Sequence, residues 1–116
     1  MLTVESISYS KIRGQRQFDI DIFDSDTQKG ITIGLPLGKY DKSTIVNHLI
    51  RSQYTQDRVE AIINNHFLNI SEWLDKKLAG EEVVFDDPEY TKFQEWRNIS
   101  KKLADDIIEE INKMLN

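Results

Sequence analysis

Four carboxylates, Asp19, Asp21, Asp24 and Asp26, crowd one short stretch of the chain. Clustered oxygen ligands of this kind suit calcium or magnesium. A pair of them could also serve as acid and base in hydrolysis, provided a cleft holds them apart at the right distance. Strand alternation would put Asp19 and Asp21 side by side on one face. The calcium-loop pattern of a helix–loop–helix fails, because neither the glycine nor the closing glutamate stands at the required spacing. A metal-dependent hydrolase built on Asp19–Asp26 is therefore one reading. A solvated strand face running into a polar turn is the plainer one.

The other chemistry-bearing residues are sparser. His48 and His66 are the only histidines, on different predicted helices and without the further ligands zinc needs. No serine sits in a Gly-x-Ser-x-Gly elbow. Gly30, Gly34 and Gly38 lack the Lys-Ser/Thr ending of a phosphate loop, and turns plus a strand interior account for them. Helices over 45–53 and 56–68 could form a helix-turn-helix DNA-binding regulator, with Gln56, Arg58, Asn64 and Asn65 reading base edges. Asp57 and Glu60 in the first turns would oppose DNA phosphates. Lys11, Arg13 and Arg16 form a small basic patch at a turn, which as isolated surface charge needs no further explanation. No catalytic residue, metal ligand or cofactor site is assigned.

Composition limits what can hold such groups. With 116 residues the chain is sized for a single domain, 1–116. There are no cysteines, so neither disulfides nor thiolate metal sites arise. No apolar run approaches the roughly 20 residues of a membrane span. The first residues do not have the form of a signal peptide. Net charge is −5, and residues 81–116 account for it with five basic and ten acidic side chains. An acidic C-terminal third speaks against a nucleic-acid partner.

The positioning elements divide at Gly38-Lys39-Tyr40-Asp41. In Phe18-Asp19-Ile20-Asp21-Ile22, and again over Ile31, Ile33, Leu35 and Leu37, apolar residues alternate as in half-buried strands. Leu2 and Val4 share one parity, Ile7 and Tyr9 the other, which predicts a bulge near Glu5-Ser6. Residues 1–38 thus read as a three-stranded antiparallel β-meander, with Pro36 at a strand end. Residues 41–80 read as three short helices. Asp41 or Ser43 caps the first, Thr55 caps the second, and Asn69-Ile70-Ser71-Glu72 forms a capping box for the third. Gly80 is the stop. Asp87-Pro88 then opens a long helix over 87–115, with the stripe Phe93, Trp96, Ile99, Leu103, Ile107, Ile111 and Met114. At about 27 residues it would run roughly 40 Å, more than a small meander spans. The expected fold class is α+β.

Two segments carry a resemblance. Tyr54-Thr55-Gln56-Asp57-Arg58-Val59-Glu60-Ala61-Ile62-Ile63-Asn64-Asn65 and Phe93-Gln94-Glu95-Trp96-Arg97-Asn98-Ile99-Ser100-Lys101 resemble helices of short uncharacterised phage- and prophage-encoded proteins, over about residues 45–105. The meander and the acidic end after Asp105 lie outside that pattern. The resemblance implies an origin among virion or tail genes, a place in the bacterial cytoplasm or the virion, and no catalytic residues. Together these readings lead to a non-enzymatic structural or assembly protein working through protein–protein contacts, as a homo-oligomer. Strand pairing at an open meander edge and burial of the long helix's stripe would supply the contacts. Phe93, Trp96, Arg97, Leu103, Ile107 and Ile111 are the candidate interface, Trp and Arg being common at binding hot spots. An ordinary core Trp beside a surface Arg is the alternative.

Overall fold

The computed structural model describes residues 1–12, 14–36, 38 and 40–115, without the side chains of Ile12 and Gln15. Arg13, Leu37 and Lys39, which entered the turn, strand and boundary readings above, lie outside the described residues.

The chain is α+β. Strands β1 (Leu2–Ile12), β2 (Gln15–Asp24) and β3 (Lys29–Pro36) are followed by helices α1 (Lys42–Gln53), α2 (Gln56–Leu78) and α3 (Pro88–Leu115). The three strands form one antiparallel sheet in the order β1-β2-β3. The register shifts between Val4 and Ser6. The extra residue there returns Ile7 to the face that Leu2 and Val4 occupy, as the change of parity required. Pro36 ends β3, where its missing N–H costs no ladder bond. The turn into β3 is held by Asp24, whose carboxylate accepts from the Asp26 N–H at 3.0 Å and from Thr27 Oγ1 at 3.1 Å.

The helices differ from expectation in number. Among the described residues there are three, not the expected four: residues 56–78 form one unbroken helix in place of two. Asn69 therefore caps nothing. Its side chain donates instead to Asp87, and the Asn-x-x-Glu spacing falls inside a regular helix. The remaining punctuation behaves as its chemistry dictates. Asp41 accepts from Thr44 at the start of α1. Thr55 accepts from the Arg58 N–H and caps α2. Gly80, at φ 86°, closes α2: its N–H donates to Lys77 and that of Glu81 to Lys76, the paired bonds of a Schellman ending.

The chain forms two compact units, Met1–Gln53 with Arg97–Asn116, and Tyr54–Trp96. In the first, Phe18, Ile20 and Ile22 of β2 and Ile33 and Leu35 of β3 make one side of a core. Ile45 and Leu49 of α1 and Leu103, Ala104, Ile107 and Ile111 of α3 complete it. The second unit buries Ile62 and Phe93, with Tyr54 edge-on to Phe93 at 5.2 Å.

Candidate docking sites

The core of the first unit overturns the premise behind the candidate interface. The expected docking role of Leu103, Ile107 and Ile111 rests on a meander too short to cover α3. They are buried against the sheet and α1 of the same chain, and Phe93 is buried in the second unit. Residues sealed from water in the single chain offer nothing to a partner. Trp96 and Arg97 are half-buried on α3.

The carboxylate cluster is dispersed across the sheet. Asp19 and Asp21 share the outer face, opposite the core residues that alternate with them. Gln17 donates to Asp19 at 2.7 Å, while Asp21 accepts from Ser6 at 3.0 Å and Thr32 at 2.7 Å. These are cross-strand bonds of an ordinary polar face. Asp24 and Asp26 sit in the turn, and the Met1 amine pairs with both, at 3.2 and 2.6 Å. The Asp26 backbone N–H chiefly holds the Asp24 carboxyl below its ordinary value. Among the described residues, no three His, Cys, Asp or Glu side chains converge to hold a metal.

Of the candidate base readers, Gln56 donates to Glu60 and Arg58 pairs with Glu89, while Asn64 and Asn65 are exposed. The two helices of the expected helix-turn-helix belong to different units. Lys11 and Arg16 are register partners across the first turn and both are exposed.

Two features had no sequence signal. The first is a polar knot in the second unit. Asp87 is only 8% exposed. It accepts from His66 Nδ1 at 2.9 Å, from Asn69 Nδ2 at 3.1 Å and from the Tyr90 N–H at 3.3 Å. With the carboxylate ionised, His66 must carry the proton on Nδ1. The hydrogen bond from His66 is the main cause holding the Asp87 carboxyl below its ordinary value; burial opposes it, and Asn69 and the Tyr90 N–H assist. The His66 ring stacks on Tyr90 at 3.5 Å and meets Phe85 edge-on at 5.7 Å. Trp73 donates to the Val83 carbonyl at 3.2 Å. The knot ties residues 83–87 to α2 and caps α3. His48 is in the other unit, half-buried on α1.

The second feature is a groove of about 510 Å³ in the first unit. Leu2 and Val4 of β1 and Ile99 and Leu103 of α3 supply its apolar lining. Asp24, Asp26, Asp106, Glu109 and Glu110 supply carboxylates, and Lys102 a cation. Glu109 and Glu110 pair with Lys113 at 3.6 and 3.2 Å. β1 is an edge of the sheet, with β2 on one side and, among the described residues, no strand on the other. An open strand edge beside an apolar, acid-rimmed channel can take a further strand through its backbone and cations through its rim. No helix among the described residues is long and apolar enough to cross a membrane. Comparison with protein-family models, curated proteins and solved structures returns no match for this chain.

Proposed function

We propose that this chain is a non-enzymatic assembly protein, of phage or prophage origin, that captures an extended basic segment of a partner protein along the open edge of β1. The observation that carries the reading is the groove between β1 and α3, with its apolar lining and five carboxylates. Backbone groups of β1 would hold the incoming strand. Alternate apolar residues would enter toward Leu2, Val4 and Ile99, and lysines or arginines would meet Asp106, Glu109 and Glu110. This drops the buried residues of the α3 stripe as contacts, retains the exposed Ile99, and keeps the open meander edge. The virion or tail setting rests on the resemblance of the two helical segments.

The test is fluorescence anisotropy with a labelled peptide alternating valine and lysine. Binding with Kd on the order of 10–100 µM at low salt is expected, weakening as salt screens the rim. Asp106→Lys combined with Glu110→Lys should abolish it. No binding at low salt, or equal binding of a valine–glutamate peptide, refutes the reading.

A further inference from the structure

We infer that α2 is a self-pairing surface, and that it takes the α2 helix of a second copy of this chain in antiparallel orientation. Three large apolar side chains on this helix stand in water on one stripe: Phe67 at 63% exposure, Leu74 at 46% and Leu78 at 79%. Ile63 and Ile70, both half-buried, continue the stripe. Its steps of four, three, four and four residues keep it on one side of the helix. The stripe is not the side that holds the polar knot, which uses His66, Asn69 and Trp73.

The spacing itself selects the occupant. With half-buried Val59 included, the apolar positions are symmetric about a point between residues 68 and 69. An antiparallel partner centred there sets Val59 level with Leu78, Ile63 with Leu74, and Phe67 with Ile70. Each apolar layer then meets an apolar layer along about 28 Å of helix. Charge agrees with that direction. The start of α2 carries Asp57 and Glu60 against Arg58, a net −1, and its last turn carries Lys76 and Lys77 against Asp75, a net +1. Antiparallel pairing brings the acidic start of one helix to the basic end of the other, and opposes their dipoles. Parallel pairing would stack like charge on like. The stripe offers roughly 400 Å² of apolar surface per chain, so a pair removes roughly 800 Å² from water. That is about half a standard interface, appropriate to a weak, reversible dimer.

This goes beyond the groove reading and does not rest on it, because the two surfaces lie in different units and respond to different variants. The test is sedimentation equilibrium of the full chain between about 10 µM and about 1 mM. The expected result is a mass rising from 13.6 kDa toward twice that value. Phe67→Glu with Leu74→Glu should hold the chain at 13.6 kDa while leaving binding of the basic peptide unchanged. The chain has no cysteine, so single-cysteine variants report the geometry under copper–phenanthroline oxidation. Ile70→Cys lies near the two-fold axis and should cross-link to itself. Leu78→Cys should not, since its two copies would be about 28 Å apart. A monomer throughout the concentration range, or cross-linking of Leu78→Cys as readily as Ile70→Cys, overturns the inference.

Discussion

Replacing Ile107 by alanine separates a core stripe from a docking stripe. Ile107 is fully buried in the first unit, among the β2 and β3 residues, Leu49 and Ala104. Ile107→Ala removes three carbons. At about 0.8 kcal/mol per buried methylene, the transfer loss is about 2.4 kcal/mol. The space left behind adds to it, since packed walls close only in part, giving about 3–4 kcal/mol. A chain of 116 residues has a total stability of about 6–17 kcal/mol, so the loss is a large share. With a urea slope of about 1.5 kcal/mol/M, the midpoint should fall by roughly 2 M. The assay is urea unfolding followed by far-ultraviolet circular dichroism at about 1 and about 20 µM, dilute enough for a weak dimer to dissociate. The midpoint shift should be the same at both concentrations. Met114→Ala, at a side chain 48% exposed on the same helix, should change stability by no more than about 0.5 kcal/mol. A loss under about 1 kcal/mol for Ile107→Ala, or a shift that appears only at the higher concentration, would refute the burial of α3 within one chain.

Asp87 gives a pH prediction. Its folded carboxyl titrates below its ordinary value, chiefly through the hydrogen bond from His66. Its contribution is therefore complete above the ordinary carboxylate value and is lost as pH falls through the lowered one. Thermal melts should show stability declining on acidification, and Asp87→Asn should be less stable near neutrality with a smaller acid-dependent decline; an equal decline in the variant would remove the assignment. Gly80→Ala forces a side chain onto a residue at φ 86°, and should cost about 1–2 kcal/mol. Amide exchange should quicken first in the last turn of α2, and unchanged protection of Ala79 and Glu81 would count against the strain.

The local signals were legible because they need only neighbours. The change of parity between Val4 and Ile7 announces a bulge, and Thr55, Gly80 and Asp87-Pro88 mark helix ends through side-chain or backbone bonds a few residues long. What was illegible depends on partners distant in sequence. Asn69-Ile70-Ser71-Glu72 has the composition of a capping box, yet a cap requires non-helical backbone at its first residue. Asn69 remains helical and spends its amide on Asp87, eighteen residues away. His66 gave no signal of its pairing with Asp87, since nothing near either residue specifies the other. The cover over α3 is illegible for a related reason. Length and stripe say how much surface must be buried, but not that β2, β3 and α1 assemble a face to receive it. The groove is illegible for the same cause: an edge strand and a helix almost a hundred residues later define it.

The two faces of α2 explain why so much apolar surface stays in water. Inward, the helix presents His66, Asn69 and Trp73, each satisfied by a specific acceptor in residues 83–87. Rolling the helix to bury Phe67 and Leu74 would break all three bonds and leave Asp87, a buried carboxylate, with only the Tyr90 N–H as donor. The knot thus fixes the rotation of α2 and leaves the stripe outside. At about 25 cal/mol per Å², roughly 400 Å² left in water is about 10 kcal/mol of burial not realised in one chain. A second copy recovers it without disturbing the knot. Pairing two stripes gives about 20 kcal/mol gross, most of which is cancelled by lost translation and rotation and by side-chain ordering. For half a standard interface the dissociation constant is expected on the order of 100 µM, about 5–6 kcal/mol net. A nanomolar dimer would therefore require contacts beyond this stripe, and mutation of Phe67 and Leu74 alone would then fail to separate it.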